Sequence, residues 1–392
     1  MKGARPRPEA SSGRIVAGSL SLATTGILPV FLVGALAVQM SREFGYGSRG
    51  IGVTIAGFYL VSTVCSLALG RLADRIGWRW ALRAGGWGSV LALMTIGIFS
   101  RSLASVVFLV GAAGFANALL QPSVNLFLIR ESAPDIRGLV FGLKQAAIPL
   151  STLVGGLSVP AIALTVGWRW VFFLAAAFGI VAIALLPEAP SRGQPLDSRH
   201  RARPGSRSRS SLGSLVVVAM FGQIGASALA SFVVVSAVVV GMQEGHAGYL
   251  LAGASVAGIA SRVALGRLVD RGLRLDLFPI AMLMLVGSFG LALIAVQSIW
   301  AAVVGTVLSF VTGWGWPGLF NLLVATWFED APASATGATQ IGVYLGNGVG
   351  PLLFGFVAAV SISAAWLVSA AFLFLASVFS FGAHLRPRKE PG

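Results

Sequence analysis

The chain of 392 residues is 56% hydrophobic, only 10% charged, and has a mean hydropathy of +0.86; a water-soluble domain typically carries about 25% charged residues, so this composition excludes one. The net charge of +15 sits in short segments between apolar runs with no basic–aromatic interleaving, which argues against nucleic acid and for the loops of a protein whose solvent is the lipid bilayer. Cys65 is the only cysteine, and His200, His246 and His384 are scattered, so no internal disulfide, metal site or cofactor is expected.

Basic residues up to Arg14 precede the first apolar stretch, near 15–40. It is too long for the apolar part of a cleaved signal, about 7–15 residues, and is read as a retained helix. Further runs near 49–70, 80–100, 103–129, 138–163 and 167–187 are each long enough for the roughly 20 residues a spanning helix needs. Residues 188–211 differ in kind: Arg192, Arg199, Arg201, Arg203, Arg207 and Arg209 stand among serines, prolines and glycines, which reads as a basic flexible linker. Apolar runs resume near 212–240, 246–268, 276–296, 299–327, 335–360 and 362–384. The reading is an all-α membrane protein of twelve spans, with one six-helix bundle over 1–187 and a second over 212–392.

Placing both termini in the cytoplasm puts nearly all Lys and Arg there and leaves only Arg42, Arg49, Arg101 and Arg169 outside, as the positive-inside rule requires. The halves repeat. Gly70-Arg71-Leu72-Ala73-Asp74-Arg75 returns as Gly266-Arg267-Leu268-Val269-Asp270-Arg271, offset by 196. Pro122 with Pro317, Gly142 with Gly337, and Gln145 with Gln340 are offset by 195. Parallel duplication of a six-helix unit is one way transporters are built.

Gly70 through Arg79, with Asp74, Arg75 and Gly77 at their spacing, resembles the signature loop of the major facilitator superfamily. Trp78 replaces a usual basic residue, and Leu273 replaces the glycine in the second copy. The resemblance implies the superfamily fold, a secondary transporter rather than an enzyme, a monomer, and a multi-pass protein of a bacterial inner membrane. It further implies a gate at Gly70, Asp74, Arg75 and Gly77, with Asp270 and Arg271 in the second copy. Arg137, Glu131 and Asp135 are candidate partners.

The acids all fall in loops, termini or helix ends. The buried carboxylate usual in proton-coupled multidrug exporters has no candidate here. Two cations do lie inside apolar runs, Lys144 in the fifth and Arg262 in the eighth. Each either faces a cavity or snorkels to the cytoplasmic surface, on the order of 10 Å away by helix rise. Arg262-Val263-Ala264-Leu265-Gly266 is similar to the eighth helix of monocarboxylate and oxalate transporters, whose arginine there binds a carboxylate. Gly258 stands where the monocarboxylate carriers have an acid. Gly142-Leu143-Lys144-Gln145 resembles cyanate-type anion permeases.

Amides and hydroxyls recur at helical spacing: Asn117, Gln121 and Asn125; Gln223, Ser227 and Ser231; Gln340, Tyr344 and Asn347. Such faces line a cavity or bond neighbouring helices. Trp314 and Trp316 are candidates to stack on substrate, and Pro149, Pro160, Gly346, Gly350, Pro351 and Gly355 to act as hinges. The expected function is alternating-access transport of a small organic anion, a carboxylate, by proton symport or anion exchange. Arg262 and Lys144 would bind it, and Gln145, Gln340, Asn117, Gln121, Tyr344 and Asn347 would line the path. The alternatives are export of neutral or lipophilic compounds, and a receptor that binds without transport.

Overall fold

A computed structural model describes residues 10–131, 144–186, 206–272, 275–328 and 332–384. In lipid every backbone polar group needs an internal partner, so apolar runs of this length become helices. The first half forms α1 (Ala10–Ala35), α2 (Ala37–Phe44), α3 (Ser48–Ile76), α4 (Trp78–Phe99), α5 (Leu103–Glu131), α6 (Ala147–Ser158) and α7 (Trp168–Ala184). The second forms α8 (Ser206–Val239), α9 (Glu244–Asp270), α10 (Leu277–Ile294), α11 (Ile299–Leu308), α12 (Trp316–Trp327), α13 (Pro332–Ala358) and α14 (Ile362–His384). Among the described residues, ten helical stretches are long and apolar enough to cross a membrane; α6 and α7 are shorter apolar helices. α8 starts inside the stretch read as linker, and residues 187–205 lie outside the described set.

Three spans are interrupted where a continuous run was expected. The first is interrupted at Leu36, although Leu36 N still donates to Leu32 O and Met40 N to Leu36 O, and α2 follows as a short amphipathic helix. The fifth widens into a π turn over Val159–Ala163, where Leu164 N donates to Val159 O at 3.1 Å. Pro160 lacks the N–H that Gly156 O would accept, which is the cause. The tenth does the same over Ser309–Gly313, with Trp314 N on Ser309 O at 2.9 Å, before α12 resumes.

α1 and α8 are the most enclosed spans of their halves. Phe108, Leu91, Phe289 and Trp300 are among the side chains left exposed on the outer helices, a lipid-facing surface that water would not tolerate. The two bundles meet along seams of small residues. A Cβ on Gly34 would lie 2.7 Å from Ser231 Cα, one on Gly52 2.5 Å from Pro351 O, and one on Gly156 2.7 Å from Gly248 O. All three seams lie toward the end of the molecule opposite the Gly70–Arg79 turn. That turn and its repeat carry exposed Arg71, Arg75, Arg267 and Arg271 and define the basic end. At the opposite end Glu244, in the first turn of α9, accepts from Gln39 Nε2 at 2.7 Å and pairs with Arg42, joining the bundles.

A second internal repeat was missed in the sequence. Gly77-Trp78-Arg79-Trp80 starts α4, and the same four residue types, Gly167-Trp168-Arg169-Trp170, start α7 at the other end. Both glycines have positive φ, +83° and +106°, which favours glycine. Three-helix units of opposite topology nested within each six-helix half are a known construction. Arg79 lies over Trp78 at 5.2 Å and Arg169 over Trp168 at 4.4 Å.

Candidate functional site

The two cations singled out above are both half-buried, and Arg262 reaches across from one bundle to the other. Lys144 is helical just before α6, and its Nζ donates to Asn125 Oδ1 on α5 at 2.7 Å. Arg262, on α9, donates from Nη1 to Gln145 O in the other bundle at 3.0 Å and from Nη2 to Trp314 O at 2.8 Å. Its guanidinium carbon stands 5.9 Å from the Trp314 ring. Both acceptors are carbonyls the helix cannot use. Gln145 O has Pro149 four residues on, which has no N–H to offer. Trp314 lies in the break between the π turn and α12. Ser261 Oγ serves the same break by donating to Val311 O at 2.6 Å. Among the described residues Glu244 pairs with Arg42 and Glu43 with Arg169, and neither carboxylate reaches Lys144 or Arg262.

The amide faces divide. Asn117 is buried within the first bundle, where its Nδ2 donates to Ser62 Oγ at 3.2 Å, and Ser62 in turn donates to Gly114 O. Gln121 Nε2 is shared between Asn117 Oδ1 and Ala23 O, both at 3.2 Å. These are bonds between α1, α3 and α5. In the second bundle Gln223 Nε2 donates to Asn347 Oδ1 at 2.7 Å. Gln340, Tyr344 and Asn347 remain half-exposed along one face of α13, and Gln340 hydrogen-bonds Tyr344. Tyr59 on α3 packs beside the same helix across the bundles, its Cβ 3.6 Å from where a Cβ on Gly348 would lie. Tyr59 carries no charge and breaks no pattern, so sequence reasoning passed over it. Trp314 and Trp316 are buried; Trp314 packs edge-on against Phe31 of the first bundle at 6.2 Å, and Trp316 against Phe320 at 5.5 Å.

At the basic end Gly77 is the left-handed joint between α3 and α4. Gly70 is half-buried, and Arg75 and Arg271 are exposed. The side chains of Asp74, Asp270 and Glu131, and all of Asp135, Arg137 and Gly142, lie outside the described residues. Among the described residues no group of three His, Cys, Asp or Glu could hold a metal ion.

Two bundles of apolar spans joined by glycine seams, with Arg262 of one bonded across to the other, define a polytopic membrane transporter. A sequence model of the Major Facilitator Superfamily matches residues 16–324, and the chain belongs to that family. Two solved structures of a bacterial homologue of the human lysosomal transporter Spinster share the fold. The inward-facing unoccupied form has a TM-score of 0.71 and 16% identity, covering 98% of this chain and 100% of that one. The occupied form has a TM-score of 0.74 and 15% identity, covering 96% and 97%.

Curated relatives match over shorter stretches. A tetracenomycin C resistance and export protein of Streptomyces glaucescens is 33% identical over 132 residues, 32% of this chain and 23% of its own length. An MFS-type efflux pump of Mycolicibacterium smegmatis is 29% identical over 163 residues, 40% of this chain and 36% of its own. The protein named "Probable anion transporter 3, chloroplastic" from Arabidopsis thaliana is 25% identical over 151 residues, 38% of this chain and 29% of its own. The chain thus spans about a quarter to a third of the length of these relatives.

Proposed function

We propose that the protein carries a small organic anion, a carboxylate, across the membrane by alternating access. The observation that carries the reading is Arg262 bridging the bundles, with Lys144 next in sequence to its acceptor Gln145, both partnered among the described residues by neutral oxygens only. A cation withdrawn from water without a counter-charge costs several kcal/mol. An anionic ligand supplies the missing charge, and a guanidinium has five N–H donors in a fork that matches a carboxylate. Half-exposed Gln145, Gln340, Tyr344 and Asn347, together with Tyr59, would face the substrate. Asn117 and Gln121 would hold the first bundle together behind them.

By the positive-inside rule the basic end and both termini would lie in the cytoplasm, and by the family resemblance the membrane would be a bacterial inner membrane. The glycine seams then close the outer side. The loop glycines with Asp74, Arg75 and Arg137, and Asp270 with Arg271, would form the inner gate. Transport would be by a monomer, through proton symport or anion exchange. A second reading, export of lipophilic compounds, draws on the names of the Streptomyces and Mycolicibacterium relatives.

A thermal-shift screen in detergent separates the two. A ligand that binds only the folded state at 100 times its Kd adds about 2.7 kcal/mol of stability. Small carboxylates should raise the melting temperature of the wild type and leave Arg262→Ala unmoved. Stabilisation by lipophilic compounds alone would replace the anion reading with the export reading.

A further inference from the structure

Arg262 joins two segments that transport has to move apart. Its Nη1 holds Gln145 O in the first bundle, and its Nη2 holds Trp314 O in the second. Each acceptor belongs to a span that proline or a helix break has interrupted, so each lacks an internal donor. One guanidinium therefore replaces two missing helical bonds and ties the start of the fifth span, just before α6, to the tenth span across the interface. It lies nearer the basic end than do the glycine seams, so the bundles are held there by a charged donor on neutral acceptors.

That bond is exchangeable. A carboxylate competes for the same Nη edge; unlike a carbonyl it brings a full counter-charge and two oxygens that match the guanidinium fork. Lys144, next to Gln145 in sequence and bonded to Asn125, adds positive charge on the same side. Resting on the anion reading above, we propose that Arg262 is a substrate-released clamp. The arriving carboxylate takes the Nη edge, the Gln145 carbonyl is let go, and the basic ends of the bundles become free to move. Binding and movement are then coupled at one side chain, since the ligand interacts differently with the clamped and released states, as a population shift requires.

Leu72 and Leu268 are suitable reporters. They occupy equivalent positions in the repeated turn, one per bundle, and are 40% and 47% exposed. Spin labels at these two sites, in a Cys65→Ser background, report the basic-end separation by pulsed electron resonance. The probes are acetate, lactate and succinate. The wild type should move to longer distances with whichever probe stabilises it thermally. Arg262→Ala should show the longer distance without any anion and should not respond to one. Arg262→Lys keeps the buried charge but has no fork to bridge two carbonyls, and should also rest at the longer distance. Wild-type distances in both ligand-free variants would overturn the clamp, whatever the protein binds. A probe that stabilises the wild type without moving its labels would overturn the release and leave anion binding in place.

Discussion

Three donors from a neighbouring helix converge on Glu43, at the tip of α2. Arg169 Nη1 lies 2.9 Å from Oε2 and Trp168 Nε1 2.7 Å from the same oxygen, while Arg169 Nη2 reaches Oε1 and also Ser100 O at 3.0 Å. The Arg169 hydrogen bonds hold the Glu43 carboxyl below the usual range, with Trp168 adding to the effect and partial burial opposing it. A lowered folded-state pKa stabilises the fold above the ordinary glutamate value and ceases to do so as pH falls through the lowered one. The cluster is partly exposed, so the contribution is about 1 kcal/mol or less. Glu43→Gln should therefore melt slightly below the wild type at neutral pH, and the gap should close on acidification; a gap constant with pH would remove the ionised cluster from the account. Lys144 and Arg262 were legible in the sequence because charge inside an apolar run is conspicuous. Glu43 and Glu244 stood out less, because acids at helix ends are common. Their importance comes from partners 125 and 205 residues away, which no local pattern specifies.

At the scale of the element, the prolines act by what they take away. Pro149 leaves Gln145 O to Arg262, and Pro160 leaves Gly156 O facing Gly248, where a Cβ would come within 2.6 Å. Both were readable as flex points. Gly156 O accepts instead from Val159 N; that both carbonyls would face α9 depends on bundle packing. The glycines divide likewise: Gly52, Gly156, Gly346 and Gly355 have close neighbours on other helices, and Gly337 has none among the described residues. Gly52→Val would place side-chain atoms against the Pro351 carbonyl, and overpacking of this kind typically costs about 1–3 kcal/mol. We expect the variant to insert and fold but to disfavour the closed seam, so that a cysteine introduced at Ser48 reacts faster with an impermeant thiol reagent added from outside. Labelling at the wild-type rate would show that the seam does not seal that side. The interruption at Leu36 and the two π turns were not foreseen, because periodicity and apolar length are blind to a one-residue change of helical register.

At the scale of the whole molecule, twelve spans, the duplication at offsets 195 and 196, and the signature turn were enough to read the fold. Each rests on a feature written along the chain: span length on bilayer thickness, and duplication on matching residues. The inverted repeat at Trp78 and Trp168 was equally visible as four identical residues, but its units run in opposite directions, so the parallel comparison missed it. Of the candidate site, the two cations and the polar face of α13 could be named from the chain, whereas the bond of Asn117 to Ser62 on a neighbouring helix could not. A helical wheel shows that a face is polar without showing which neighbour it meets.

The central claim is that this transporter's cargo is an anion held by Arg262. The most direct measurement is flux in proteoliposomes of purified protein, loaded and challenged with radiolabelled carboxylates, and compared with Arg262→Ala and Lys144→Ala reconstituted at equal density. Saturable carboxylate flux that falls at least tenfold in Arg262→Ala, corresponding to about 1.4 kcal/mol of lost binding or transition-state stabilisation, is the predicted result. Carboxylate flux no greater than in empty liposomes, alongside movement of lipophilic compounds by wild type and Arg262→Ala alike, would contradict it.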